Sequence, residues 1–147
     1  MKALQRERMN THMIKLLIGV KGTGKTKTLI EQVNAAQAST KGNVVCIEKG
    51  TKLRYDINYQ VRLINTDDYL ISDASALGGL VAGILASNSD VTDIFIDSAL
   101  KICSNDVYNL GVFLDKLAAV TANLDVNILV TASVPVEEAT ETIKKYL

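Results

Sequence analysis

The chain is poor in the residues that most often announce a function. It has no tryptophan, one proline and one histidine, His12, in 147 residues. A single histidine argues against a histidine-based metal site or a catalytic triad. The two cysteines, Cys46 and Cys103, stand alone, with no CxxC and no histidine beside them. Reduced, packed thiols of a cytoplasmic protein are therefore expected. No Gly/Ser-rich or single-charge tract occurs, which excludes a long linker or a disordered acidic or basic tail. The most apolar window, residues 76–86 (ALGGLVAGILA), is far shorter than the roughly 20 residues of a membrane span. Residues 1–10 are polar and lack the apolar centre of a secretory signal.

What remains is the profile of one globular domain. The chain is 48% hydrophobic and 22% charged, and its length buries a core without disulfide or metal staples. The zero net charge hides an asymmetry. Residues 1–65 hold 12 Lys+Arg against 4 Asp+Glu, a balance of +8; the rest hold 4 against 12, a balance of −8. The basic residues are scattered and few aromatics accompany them, so no clear nucleic-acid site is expected. A basic front half does suit phosphates or an acidic partner.

Residues 1–12 carry no β pattern and read as a leader or flexible extension, with one domain over 13–147. From there, strand-like and helix-like segments alternate. Residues 14–19 (IKLLIG), 43–48 (NVVCIE), 93–97 (DIFID) and 126–131 (VNILVT) are apolar throughout and read as buried strands. Residues 61–64 (VRLI) read as a shorter, less buried one. Helices are expected over 26–37, over 74–87 after Ser72-Asp73, from a Ser104 cap to about 124, and over 136–147 after Pro135. Gly78, Gly79 and Gly83 should let the second of these pack closely on the sheet. Apolar strands alternating with helices imply an α/β fold: a mostly parallel sheet covered on both faces in a three-layer sandwich.

Residues 19–26, GVKGTGKT, fit GxxxxGK[ST] completely. Gly19, Gly22 and Gly24 allow backbone angles that turn N–H groups toward a phosphate, and the loop opens a helix whose positive end adds to that field. Lys25 is expected to bridge the β and γ phosphates of ATP and Thr26 to ligate Mg2+. Lys21, Thr23 and Lys27 complete the nucleotide-binding set. Lys21 lies in the variable part of the loop and is expected to be solvated. Asp97 ends an apolar strand downstream, as a Walker B carboxylate does, and is the second expected metal ligand. Asp93 begins that strand and should be solvated at the opposite edge. Ser98 stands where many P-loop ATPases place a water-activating Glu. Glu48, at the end of residues 43–48, is the substitute general base, unless it merely pairs with Lys49. Thr131 and Ser133 end another strand and could sense the γ-phosphate or simply be strand-end polar residues.

The succession GVKGTGKT, NVVCIE, VRLI, DIFIDS, NILVTAS resembles the RecA-like core of P-loop ATPases over roughly residues 13–133. It is also similar to short stand-alone bacterial P-loop proteins often labelled twitching-motility ATPases. The resemblance implies the strand at 14–19 beside 126–131, then 93–97, then 43–48, with 61–64 at the edge. It implies Glu48 as catalytic residue and Asp97-Ser98 as the Walker B end. The expected function is an ATP-binding protein with slow Mg2+-dependent hydrolysis. The alternatives are a nucleotide-gated binding module without useful turnover, and a small-molecule kinase. Arg54 and Arg62, in the loop-rich region 49–66, mark where a protein partner or second copy could reach the nucleotide; no membrane partner is expected.

Overall fold

The computed structural model describes residues 13–147; the leader expected at 1–12, with His12, lies outside them. Strands β1 (Ile14–Ile18), β2 (Asn43–Glu48), β3 (Arg62–Asn65), β4 (Val91–Ile96) and β5 (Asn127–Ala132) form one sheet. Every pairing is parallel, and the order is β1-β5-β4-β2-β3. This is the order expected above. Parallel strands need crossovers; helices α1 (Lys25–Ser39), α2 (Ala74–Ser87) and α4 (Val107–Thr121) supply those that follow β1, β3 and β4, and an irregular connection joins β2 to β3. Two short helices, α3 (Ala99–Ile102) and α5 (Glu141–Lys144), complete the set.

The strand alternation divides the core in two. Ile14, Leu16, Val45, Ile47, Ile94, Ile96, Ile128 and Val130 face Leu77, Val81, Leu110, Phe113, Leu114 and Leu117 of α2 and α4. On the other face Val44, Cys46, Phe95 and Leu129 meet Leu29 and Val33 of α1, with Leu53, Ile57 and Val61 from the β2–β3 connection. Each fully buried aliphatic side chain contributes about 1.5–3 kcal/mol. Both cysteines are free and buried, and burial pushes the Cys103 thiol up to about 12. Among the described residues no helix is long and apolar enough to cross a membrane.

Three local expectations change. Helix α4 is capped by Asp106, whose carboxylate accepts from the Tyr108 N–H at 2.9 Å, and not by Ser104. The chain must first reverse after α3, and Ser104 and Asn105 do this at φ 61 and 56; the extended backbone typical of a side-chain N-cap is found at Asp106, φ −111. The closing helix over 136–147 is broken into a 3-10 turn (Val136–Glu138) and the single turn α5. The segment runs along the free edge of β1, where Leu16 N–H donates to the Tyr146 carbonyl at 2.7 Å. Pairing that edge satisfies an exposed strand better than continued helix would. Of the three glycines in α2, only Gly78 meets a close neighbour, and that neighbour is Lys116 of α4, not the sheet; a Cβ at Gly79 or Gly83 would meet open space.

Candidate functional site

The loop after β1 is built around its glycines. Gly19 sits at φ 145, and a Cβ there would lie 2.9 Å from the Thr23 hydroxyl. Gly24, at φ 87, is the N-cap of α1, a left-handed conformation that costs other residues energy. Lys25 Nζ donates to the carbonyls of Gly19 (3.0 Å) and Val20 (2.8 Å) and to Thr23 Oγ1 (3.2 Å), closing the loop into a ring. Partial burial draws the Lys25 ammonium below its usual range, while Asp97 pulls it upward. The other two long helices start under carboxylate caps, Asp73 on α2 and Asp106 on α4. Helix α1 begins with no side-chain cap. Its first amides therefore retain donor capacity for an anion.

Strand alternation delivers the remaining groups. Cys46, Phe95 and Leu129 point to the α1 face, so the next residues in those series, Glu48, Asp97 and Thr131, point the same way at the carboxyl edge. Asp97 is 8% exposed and Glu48 3%. Thr131 Oγ1 donates to Asp97 Oδ1 at 2.8 Å and accepts from the Ser98 N–H at 2.9 Å. Thr26 Oγ1 donates to the same carboxylate at 3.2 Å, and Ser98 Oγ reaches its other oxygen at 3.3 Å. The expected metal pair, Thr26 and Asp97, is thus already in contact. Ser98 holds φ 56, a left-handed turn that starts α3 directly behind the carboxylate.

Glu48 does not pair with Lys49, which binds Asp67 at 2.7 Å instead. Its carboxylate accepts from the backbone N–H of Lys52 (3.0 Å) and Leu53 (3.3 Å). Burial pushes this carboxyl up, the two N–H groups draw it down, and Asp97 raises it again. The net direction is upward, with burial as the largest cause.

An open cavity of about 540 Å³ lies between these elements. Of the sequence-predicted residues it is lined by Lys21, Gly22, Gly24, Lys25, Thr26, Lys27, Glu48 and Asp97, with Thr131 and Ser133. Gly19 and Thr23 do not line it; they hold Lys25 from behind. Asp93 does not begin its strand as expected: β4 starts at Val91, and Asp93 is paired within it, half-buried, and accepts from the Thr92 hydroxyl at 2.8 Å. Sequence reasoning missed Lys52 and Lys101, which also line the cavity. Lys101 follows DIFIDS by one helical turn, a signal visible only once that turn is known to be helical. Arg54 and Arg62 are not at the cavity. The Arg54 guanidinium lies 5.3 Å from the centroid of the Tyr55 ring, and Arg62 donates to the Tyr69 hydroxyl at 3.4 Å.

No family model matches the chain, and no curated protein matches it.

Proposed function

We propose that the chain is a RecA-like P-loop protein that binds ATP with Mg2+ at the carboxyl edge of its sheet and hydrolyses it slowly. The observation that carries this reading is the start of α1. An uncapped helix of 15 residues opens out of a glycine loop, beside a lysine ammonium and a Thr26–Asp97 contact of 3.2 Å. A phosphate there would take the place that Asp73 and Asp106 occupy on the other long helices. On its arrival Lys25 would exchange loop carbonyls for phosphate oxygens. The strand order supports the RecA-like comparison, because β5 separates β1 from the Asp97 strand; in the kinase–GTPase division those two strands are direct neighbours.

Thr26 and Asp97 suit magnesium, which takes hard oxygen ligands, keeps several waters and shares phosphate oxygens. Among the described residues no cluster of three or more His, Cys, Asp or Glu could cage a metal, so the nucleotide would complete the coordination. The ion would neutralise phosphate charge. Glu48, held above its ordinary range at the same edge, is the group to take a proton from the attacking water. ATP is preferred over GTP because no NKxD-like guanine-reading motif occurs.

Phosphate release by the wild type, Lys25→Ala and Glu48→Gln tests the reading. Lys25→Ala is expected to lose nucleotide binding. Glu48→Gln should bind normally and turn over about 100-fold more slowly, the usual scale for a missing general base. Equal rates in all three remove the mechanism.

A second reading is a nucleotide-gated binding module. It is favoured by the commitment of Glu48 to the Lys52 and Leu53 amides, which anchors a loop displaying Tyr55 and Tyr59 at 88% and 92% exposure. Tight ATP binding with negligible turnover at every protein concentration would select it.

A further inference from the structure

We propose that this chain supplies from within itself, through the ammonium groups of Lys52 and Lys101, the positive charge that stabilises the terminal phosphate during transfer to water. The inference rests on the nucleotide reading and adds the source of a cation that many ATPases take from an arginine of a neighbouring subunit.

Among the described residues the cavity is lined by six lysines and by no arginine. Two of the lysines are already engaged, Lys25 by the loop and Lys49 by Asp67. Lys21 and Lys27 belong to the glycine loop and its helix, on one wall. Lys52 and Lys101 come from the other side, out of the β2–β3 connection and α3. Neither is in an ion pair among the described residues.

Their main chains are tied to Glu48 and to the residue that follows Asp97. The Lys52 N–H donates to Glu48 Oε1 at 3.0 Å. The Lys101 N–H donates to the Ser98 carbonyl at 3.1 Å, one turn beyond Asp97. The Lys52 backbone is thus tied directly to Glu48, and the Lys101 backbone lies one turn beyond Asp97 in the chain. The two arginines among the described residues are turned to other surfaces: Arg54 stacks on Tyr55, and Arg62 lines a separate groove beside Asn43 and Ile84. Among the described residues the cations of the cavity are ammonium groups, point charges without the planar fork of a guanidinium.

In the step they serve, the water oxygen forms a new bond to the γ-phosphorus. The bond from that phosphorus to the β–γ bridging oxygen breaks, and ADP keeps its electron pair. One water proton passes to Glu48. Negative charge grows on the bridging and terminal oxygens, where fixed cations act more strongly on the transition state than on bound ATP.

The test compares wild type, Lys52→Ala, Lys101→Ala and Lys101→Arg in phosphate release, and in affinity for Mg·ADP with and without aluminium fluoride. Wild-type specific activity should be independent of protein concentration. Each alanine variant should lower kcat by about 10-fold or more while KM stays within about 3-fold, and Lys101→Arg should recover part of the loss. Affinity for ADP should hold, and affinity for ADP with aluminium fluoride should fall by about the same factor as kcat. The proposal is overturned if both alanine variants keep wild-type kcat and fluoride-complex affinity. It is also overturned if specific activity rises with protein concentration, the signature of a cation supplied by a second copy. If turnover is too slow to measure, the fluoride comparison decides: a wild type that binds ADP without gaining affinity from aluminium fluoride sinks this inference alone. A wild type that binds no nucleotide sinks the ATP reading, and this inference with it.

Discussion

The two faces of the sheet are built differently. The face under α2 and α4 is the larger apolar core, filled by Leu, Ile, Val and Phe113, and continued by Ile102, Val134 and Ile143. The face under α1 is smaller, with Leu29 and Val33 from the helix and Leu53, Ile57 and Val61 from an irregular connection. Its strand series also end differently. On the α1 face they run out of apolar side chains at the carboxyl edge and finish in Glu48, Asp97 and Thr131. On the α2–α4 face they finish in Ile47, Ile96 and Ala132. One face carries most of the stabilising burial, and the other carries the polar strand ends of the proposed site. A site with two buried carboxylates and an uncapped helix is costly to hold, and the thicker face offsets that cost.

Substitutions on the two faces should therefore separate stability from ligand affinity. The largest effect is expected from Phe113→Ala on α4, fully buried in the thick face. It should lower unfolding free energy by about 3–5 kcal/mol, read from urea unfolding, with nucleotide affinity of the folded fraction unchanged. A loss of affinity in molecules shown to be folded would mean that the faces are not separable.

An intermediate effect is expected from Glu48→Gln on the thin face. The carboxyl of the folded chain is held above its ordinary range by burial. As pH rises from the ordinary carboxylate range, the unfolded chain loses this proton first and the folded chain retains it. Stability then falls with pH until the raised value is passed. Glutamine keeps an oxygen for the Lys52 and Leu53 amides and removes the titration. Thermal melts of both proteins between about pH 4 and about pH 8 should show the variant gaining on wild type as pH rises. A constant difference across that window would contradict the burial assigned to Glu48.

The smallest effect is expected from Lys21→Ala. Lys21 lines the cavity yet is exposed and in no ion pair among the described residues. Its removal should change nucleotide affinity by less than about 1 kcal/mol, the range of a solvated charge. A loss as complete as that of Lys25→Ala, measured by calorimetry, would place Lys21 on the phosphate instead.

Local signals survived in this chain wherever the cause was local. The glycine loop, its position between a strand and a helix, and the existence of all five strands were legible because φ preference and apolar periodicity act over a few residues. The start of α4 was misread because an apolar pattern locates a helix but not its cap. The direction of the chain at Ser104 depends on the α3 turn that precedes it. The closing helix was misread because its competitor was the free edge of β1, more than a hundred residues away in sequence.

The sequence by itself determined the class of fold and the residues of the glycine loop, since backbone angles and strand burial leave their marks in consecutive residues. Only the tertiary structure decided what those residues meet. Sheet register set Glu48, Asp97 and Thr131 on one face beside α1, gave Glu48 the Lys52 and Leu53 amides in place of Lys49, and brought Lys101 to the same cavity. Those contacts join residues from separate strands and loops, and pairing across a parallel sheet has no periodicity that a single stretch of chain could display.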